Sequence, residues 1–284
     1  MKRNALLAAA FCIALGVSAA ELRESTIVQV VNEVKLIPAN AAEKEARAND
    51  AVRAPDKVRT GAKSRAELQA ADKTLTRLGA NTVFSFEQSG RTLNLEKGSV
   101  LFHSPAGRGG GTIKSAGASA AVLGTTLIVA ATADGGFKCI LLEGKGTITL
   151  PNGKTQRLEA GDMVFVPAGA HNFGATVKVD LAKLVAGSQL VNGFQNPLPT
   201  LAAIDNEIAK QRIAIISGDF EETGVMIGSV GTGNDPLPLS PINQQASTLP
   251  PIVLRVNPQG ENRSGIVNLG YGSVPYSIRF NDNK

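Results

Sequence analysis

The segment Leu93-Asn94-Leu95-Glu96-Lys97-Gly98-Ser99-Val100-Leu101-Phe102 carries the features that decide the fold. Leu93 and Leu95, and then Val100 and Phe102, are two residues apart, which places the members of each pair on one face of a β-strand. Gly98 lies between the pairs, and glycine tolerates the positive φ that a turning strand requires. The segment is therefore typical of strands that turn at a glycine.

The same pattern extends from Thr26 to Pro167. Further apolar sets repeat at two-residue spacing, namely Phe137, Cys139 and Leu141, then Ile148 and Leu150. Turn-forming segments separate the sets: Gly90, Gly109 to Gly111, Gly135-Gly136 and Pro151-Asn152-Gly153. Many short strands separated in this way predict a mainly β fold, either a sandwich, a roll or a short β-solenoid. Residues 38–51 lack the pattern and predict a surface loop or a short solvated helix.

The character of the chain changes after about residue 178. Leu181, Leu184 and Val185 have helical spacing, and Leu201, Ile204 and Ile208 repeat it behind a possible N-cap at Thr200. Two amphipathic helices are expected to cover one face or end of the β domain. Residues 231–251 are rich in Gly, Pro, Ser, Asn and Gln, which predicts a linker. The weakly alternating segments 252–256 and 265–280 predict edge strands or an extended arm.

Residues 1–20 have the pattern of a secretory signal peptide. Lys2 and Arg3 precede an apolar run from Ala5 to Val17, and the small residues Ser18, Ala19 and Ala20 follow it. The run is too short to cross a bilayer, and Cys12 lies inside it rather than at a lipidation site. The sequence thus predicts a periplasmic or secreted protein with no transmembrane segment in the mature chain. The expected organisation is a signal peptide (1–20), a β domain (21–178), a helical extension (179–220) and a linker with an extended C-terminal arm (221–284).

Composition excludes several classes of function. The formal net charge is +5, and removal of Lys2 and Arg3 leaves a balance too mild to indicate an acidic partner. With two Tyr and no Trp, few aromatic platforms exist for base stacking, so no nucleic-acid binding is expected. Only Cys139 remains in the mature chain, so no intramolecular disulfide is possible. Cys139 alternates with core residues and is predicted to be a buried small hydrophobe rather than a reactive thiol.

Several stretches occur in a family-specific order. They are Asp56-Lys57-Val58-Arg59-Thr60-Gly61-Ala62-Lys63-Ser64-Arg65-Ala66-Glu67-Leu68, Thr76-Arg77-Leu78-Gly79-Ala80-Asn81-Thr82, Leu93 to Val100, Ala120-Ala121-Val122-Leu123-Gly124-Thr125-Thr126, Leu141-Leu142-Glu143-Gly144 and Leu158-Glu159-Ala160-Gly161-Asp162. Together they resemble the FecR domain family over roughly residues 26–167. The six glycines at positions 61, 79, 98, 124, 144 and 161 each lie where a strand must turn, and Asn81 and Asp162 can bond their own backbone there.

The resemblance implies a non-catalytic interaction module of the cell envelope. Characterised members of the family receive a signal from an outer-membrane receptor, and a cytoplasmic segment beyond a transmembrane helix controls a sigma factor. Neither that segment nor that helix is apparent in this sequence, so anti-sigma activity is not carried over from the family, and a part in sigma-factor signalling is left open. The expected partner is another envelope protein.

A second interpretation arises from Leu141 to Gly146 together with Gly161 to His171, which look like half of a cupin. Cupins use a histidine near this position as a metal ligand, and a useful site needs three or four convergent ligands. The only other histidine is His103, which lies on a different strand and faces away from Phe102. A cupin-like small-molecule binder or enzyme therefore remains the alternative, with His171 expected in a surface loop.

The remaining candidates are weaker. Gly107 to Gly117 resembles a phosphate-binding loop, but no helix pattern follows it, and a loop between strands is expected. Lys57, Arg59, Lys63 and Arg65 fall at odd positions around Gly61, and on one face they would form a contact for an anionic surface such as a lipid or glycan phosphate. A solvated face is the alternative. The sequence predicts no catalytic, cofactor-binding or metal-binding residues, and no cofactor.

Overall fold

The computed structural model describes residues 21–174, 176–226, 251–255, 263–268 and 273–278, with side chains as far as residue 220. These residues form twenty-one strands and three helices, which confirms the mainly β class predicted from the sequence. Nineteen strands are linked by hydrogen bonding. They fold into two layers because the long strand β9 (Thr92–His103) pairs with one set of strands in its first half and with another in its second half.

The first sheet contains the second half of β9, and we call it the covered sheet because helices pack on its outer face. Its strands, in spatial order, are β4 (Ala51–Arg53), β1 (Glu24–Val31), β6 (Arg65–Gln69), β7 (Leu75–Leu78), β9, β12 (Thr126–Ala131), β13 (Phe137–Glu143), β16 (Asp162–Val166), β17 (Val177–Val179), β19 (Pro251–Arg255) and β18 (Phe220–Met226). All neighbours in it are antiparallel.

The second sheet contains the first half of β9, and we call it the open sheet. Its strands, in spatial order, are β3 (Lys44–Glu45), β2 (Val34–Ile37), β5 (Lys57–Thr60), β8 (Val83–Phe86), β9, β10 (Gly111–Lys114), β11 (Ser119–Val122), β14 (Lys145–Thr149) and β15 (Thr155–Glu159). Only the β9–β10 pair is parallel within this sheet.

Most of the sandwich is a single meander of bent strands. The pairs β1–β2, β5–β6, β7–β8, β11–β12, β13–β14 and β15–β16 each cross from one sheet to the other, as β9 does alone. Each crossing contains one residue with positive φ, and we call this line of residues the crease: Asn32, Lys63, Asn81, Gly98, Gly124, Gly144 and Gly161. The glycines at 61 and 79 were expected to supply this conformation, but Lys63 and Asn81 adopt it at those two crossings.

Gly98 is required at its position in the crease. Its φ is 97°, and a Cβ there would lie 2.4 Å from the Cα of Thr82. The Thr82 hydroxyl oxygen in turn accepts from the Ser99 N–H at 3.0 Å, and the Thr60 hydroxyl donates to the Gly79 carbonyl at 2.5 Å. Hydroxyl groups thus satisfy backbone groups that the ladder leaves unpaired at the crease.

The interior of the sandwich is the main hydrophobic core. Both sheets contribute to it, for example Leu68 and Val129 from the covered sheet and Phe84 and Ile148 from the open sheet. The sets at two-residue spacing that the sequence places on one face all point into this core. Cys139 belongs to it and is 1% exposed, which confirms its predicted burial.

Three helices follow β17: α1 (Leu181–Gly187), α2 (Gln189–Asn192) and α3 (Leu201–Ile216). The sequence predicted two, and the short α2 is additional. Asp180 is the N-cap of α1, where its carboxylate accepts from the Lys183 N–H at 3.0 Å. Thr200 precedes α3, but its hydroxyl makes no capping bond and contacts Thr126 instead. None of the described helices is both long and apolar enough for a membrane span.

Three local expectations were only partly correct. Residues 38–50 form a loop that contains the two-residue strand β3, Ala51 begins β4, and no helix forms there. The segment Gly107 to Gly117, expected as a loop, contains the strand β10, because Ile113 lies in the interior core. In the C-terminal arm, β19 joins the covered sheet and β20 (Arg263–Asn268) pairs with β21 (Ser273–Ile278). The predicted linker, apart from Pro251, lies outside the described residues.

Candidate functional site: the two outer faces of the sandwich

From β7 to β17, the outer face of the covered sheet is apolar and lies beneath the helices. The buried cluster there combines sheet residues with residues of α1–α3 and their connections: Leu75, Leu101, Ile128, Ile140, Leu142, Met163, Val177, Val179, Leu181, Leu184, Leu190, Val191, Leu198 and Ile204. Consequently β12 is buried on both faces along its whole length. The chain's own helices therefore occupy this face.

An ion pair lies inside this apolar contact. The Nε of Arg77 donates to Oε2 of Glu67 at 2.7 Å, and the two side chains are 0% and 3% exposed. Neighbouring strands β6 and β7 place the two residues directly opposite each other. Burial of such charges is costly unless each is paired and its remaining hydrogen-bonding capacity is used.

Arg77 meets that condition by binding the segment that contains α2. Its Nη1 donates to the carbonyl oxygens of Leu190 and Val191 at 3.1 and 2.8 Å, and its Nη2 donates to that of Asn196 at 2.5 Å. The ring of Phe194 lies 4.5 Å from the guanidinium carbon, a cation–π contact. Burial lowers the pKa of Arg77 from its ordinary value, against the opposing effect of Glu67. Arg77 therefore fixes the helical layer to the sheet.

A chain of polar side chains lies under the start of α3. The Thr126 hydroxyl donates to Oε1 of Glu143 at 2.8 Å and also contacts Nδ1 of His103 and the hydroxyl of Thr200, each at 3.0 Å. Burial raises the pKa of Glu143, and the nearby carboxylate of Glu207 adds to the effect. Burial lowers the pKa of His103. The chain connects the sheet to α3, and its members are engaged with one another.

Lys138 is a further charge on the covered side. It alternates with Phe137 and Cys139, which point into the interior core, and is 4% exposed. Burial lowers its pKa to about 7. Burial therefore shifts the pKa values of Arg77, His103, Lys138 and Glu143 on this side of the molecule.

Two clefts flank α3. One, of about 430 Å³, lies between α3 and the turns of the β domain and is lined by Lys145, Glu159, Lys178, Glu207 and Lys210 among others. Its ammonium and carboxylate groups pair with one another or with Asp162, for example Lys178 with Asp162 at 2.8 Å. The other cleft, of about 380 Å³, lies between α3 and α1. Neither arrangement presents an acid, a base and a nucleophile in mutual contact.

The outer face of the open sheet is polar and accessible. Strand β5 shows the pattern clearly, because Val58 and Thr60 point inward while Lys57 and Arg59 are exposed. Ion pairs run across this face: Lys35 with Glu45, Arg59 with Glu43 at 2.7 Å, Lys57 with Glu96 at 2.6 Å, and Lys114 with Glu87 at 3.4 Å. The hydrogen bond from Lys35 to Glu45 raises the pKa of Lys35.

The structure brings together two of the four basic residues proposed for an anionic contact. Lys57 and Arg59 lie side by side on the open sheet, each beside a carboxylate. Lys63 lies at the crease, where its carbonyl accepts from Asn32 at 2.6 Å. Arg65 lies on the covered sheet and donates to the carbonyl of Gly193 at 3.3 Å. The anionic contact itself remains a prediction, with Lys57 and Arg59 as the residues that share a face.

The candidates for cupin-like chemistry are not assembled among the described residues. His171 is exposed in a loop, where its carbonyl accepts from Asn152 at 2.8 Å. His103 is buried on a different strand. No group of three or more His, Cys, Asp or Glu side chains in this part of the chain is placed to hold a metal. Burial raises the pKa of the Cys139 thiol, which makes it a poor nucleophile.

Arg77 and Glu67 were not among the candidate residues predicted from the sequence. A signal was present, because Val100-Leu101-Phe102 and Ile140-Leu141-Leu142 are apolar at consecutive positions. Strands of that kind are covered on both faces. A charged residue on a strand beside them is then expected to be buried and to need partners.

The fold and the residues on its two faces define a β-sandwich module with one outer face covered and the other open. Comparison with known families gives this module a name. Residues 56–145, which run from just before β5 to the first residue of β14, match the model of the FecR protein family. This match agrees with the FecR-domain resemblance that the ordered motifs predicted, and the strands on either side of the segment continue the same two sheets.

Solved structures give a more distant likeness. Two crystal structures of a candidate anti-sigma factor from Parabacteroides distasonis share 19% identity with the chain, and each alignment has a TM-score of 0.41. They cover 46% of this chain and 63% and 62% of the other. The chain therefore spans less than two thirds of that protein's length. A search of curated proteins found no match.

Proposed function

We propose that this chain is a non-catalytic interaction module that acts outside the cytoplasm, where it binds another component of the cell envelope in signalling or assembly. The FecR domain over residues 56–145 supports a role of this class. The signal-peptide pattern of residues 1–20 supports export. The partner surface in this proposal is the outer face of the open sheet.

One observation carries the choice of surface. Helices α1–α3 cover the outer face of the covered sheet from β7 to β17, whereas the outer face of the open sheet carries exposed residues on β5 and on β14 and β15. Its ion pairs are solvent-exposed, for example Lys57 with Glu96 at 46% and 41% side-chain exposure. Exposed pairs contribute little to folding, about 0–1 kcal/mol each, and their side chains exchange partners readily. Lys57 and Arg59 are then available to a partner that presents carboxylates or phosphates.

Site-specific crosslinking in the native envelope tests the surface. A photo-reactive residue is placed at Thr112 or Thr147 on the open sheet and, as the matched control, at the exposed Ala186 of α1. We expect a specific partner to be captured from the open sheet and not from Ala186. Capture only from Ala186, or turnover of a small molecule by the pure protein without any specific capture, would contradict the proposal.

Charge substitution tests the role of the two basic residues. The double variant Lys57→Gln/Arg59→Gln is expected to capture less of the partner, and the capture should depend less on ionic strength. Lys63→Gln is the matched control, because Lys63 lies at the crease. Equal effects of both changes would show that the contact does not use the open face.

Export is tested separately. The small residues at the end of the signal-peptide pattern predict cleavage after Ala19 or Ala20. Intact-mass measurement of the exported protein decides the point. A chain that still begins at Met1, or one with a lipid on Cys12, would exclude the proposed processing.

A further inference from the structure

Helix α3 has an apolar stripe on the side that faces away from the sheet. Ile213 and Ile216 are 67% and 86% exposed, two of the four most exposed large hydrophobic residues among the described side chains. Of the sixteen residues of α3, only Ile204 and Gln211 are buried. Exposed aliphatic side chains clustered on one element are typical of an interaction surface.

The stripe has the spacing of a helix-pairing surface. Ala202, Ala209 and Ile216 follow one another at two-turn intervals, and Asn206 and Ile213 lie between them on the same side. All five are exposed. Ala202 and Ala209 have small side chains that permit the close approach of a second helix. Ile213 and Ile216, at the end of the stripe, provide apolar side chains that a second helix can bury.

The charges beside the stripe are arranged head to tail. Asp205 and Arg212 are two turns apart on one flank of the stripe, with the acid toward the start of α3 and the base toward its end. Both are exposed, and among the described residues neither makes an ion pair or a side-chain hydrogen bond. They are therefore free to bind a partner.

We propose that α3 pairs with α3 of a second copy of this chain, antiparallel, about a two-fold axis near Ala209. In this arrangement Ile216 of each chain packs over Ala202 of the other, and Ala209 faces its own copy. The two-fold axis keeps equivalent flanks on the same side, so Asp205 of each chain meets Arg212 of the other, giving two ion pairs. The surface is thus self-complementary in shape and in charge.

Parallel pairing of the same helices does not satisfy these charges. In a parallel pair the two-fold axis runs along the helices and puts the flank that carries Asp205 and Arg212 on opposite sides of the contact, so neither residue meets its opposite charge. The order of the two charges therefore fits a second copy of this chain in the antiparallel orientation. The proposal does not depend on the open sheet, which lies on the other side of the sandwich from α3.

Sedimentation equilibrium of the full chain tests the pairing. We expect a reversible monomer–dimer equilibrium, and Ile213→Glu is expected to raise the dimer dissociation constant by more than about tenfold, since an unpaired charge would enter the contact. Leu123→Glu is the matched control, because Leu123 is 71% exposed but lies on the loop after β11. A monomeric wild type, or equal effects of both variants, would overturn the proposal.

Reciprocal charge variants provide a test that a purely structural effect would not pass. Asp205→Arg and Arg212→Asp are each expected to weaken their own dimer, because like charges then oppose each other. Mixed together, the two variants are expected to form a heterodimer in which both ion pairs are restored, one as in the wild type and one with its charges exchanged. If the mixture contains no more dimer than the separate variants, the antiparallel arrangement is wrong.

Discussion

The two outer faces of this sandwich differ in how their charged residues are used. Beneath the helices of the covered sheet Arg77 and Glu67 are buried, Arg77 binds three carbonyl oxygens as well as Glu67, and burial lowers the pKa of Lys138 to about 7. On the open sheet Lys57 and Arg59 are exposed, and each lies beside one carboxylate. The buried charges therefore determine which segment docks on the sheet, whereas the exposed charges remain available to other molecules.

The largest effect is expected when the buried pair is broken. Glu67→Ala leaves the guanidinium of Arg77 in an apolar contact without a counter-charge, and loss of one partner of a buried pair costs about 3–5 kcal/mol. Urea unfolding measures the change. Lys57→Ala on the open sheet is the control and should change the free energy of unfolding by less than about 1 kcal/mol. Comparable losses for the two variants would remove the distinction between the faces.

A similarly large effect is expected from truncation of the apolar contact under the helices. Leu101 is fully buried in that contact, and Leu→Ala changes of this kind cost about 2–5 kcal/mol. Thr112→Ala on the open sheet should stay within about 0.5 kcal/mol. If Leu101→Ala proves as mild as Thr112→Ala in urea unfolding, the helical layer does not pack on the sheet as described.

A smaller effect is expected from the pH response of Glu143. Because burial raises its pKa in the folded state, the native protein binds more protons than the unfolded chain above the ordinary glutamate pKa of about 4.3. This residue's contribution to stability therefore falls as pH rises through that window. The difference in unfolding free energy between Glu143→Gln and the wild type should therefore favour the variant more at pH 7 than at pH 4. The change should be less than about 1 kcal/mol because Glu143 is partly exposed.

Thermal unfolding across this pH range measures the difference between wild type and Glu143→Gln. The exposed Glu45, paired with Lys35 on the open sheet, supplies the control Glu45→Gln. A Glu143→Gln variant that loses stability at pH 7 would show that the charged form is favoured in the fold.

The smallest effect is expected from salt. Ion pairs on the open face are screened, so raising the ionic strength should change the unfolding free energy of wild type and of Lys57→Ala in nearly the same way. The Arg77–Glu67 pair is buried and is screened much less. A strong salt dependence that disappears in Lys57→Ala would show that the open-face pairs support the fold.

The sequence was sufficient to predict the mainly β class, the interior faces of the strands and the FecR domain. Alternation at two-residue spacing determines which face is buried, and ordered glycine motifs mark the crossings. It did not predict that Lys63 and Asn81, rather than Gly61 and Gly79, take the positive φ, because either residue of a short turn can absorb the change in direction.

The sequence also did not show which sheet each strand joins, nor the role of Arg77. Pairing between strands depends on contacts across the whole domain, and Arg77 acquires its partners only when residues 188–198 dock on the sheet. The division of the basic residues between the two sheets has the same cause. Lys57 and Arg65 are close in sequence, but the crease between β5 and β6 places them on opposite layers.

Because the strand pairs bend at the crease, the bent strands of the sandwich lie side by side in a single row. Each bent strand pairs with the one before it and the one after it, and only β10 interrupts the sequence. Contacts between neighbouring bent strands are separated by little chain, so the entropy cost of closing the loops between them is small. Folding can therefore start at any neighbouring pair and add the next bent strand in turn. Addition or loss of a bent strand at either end would leave the central pairings in place, so we expect variation in length at the ends. The segment that matches the FecR family is the middle of the array.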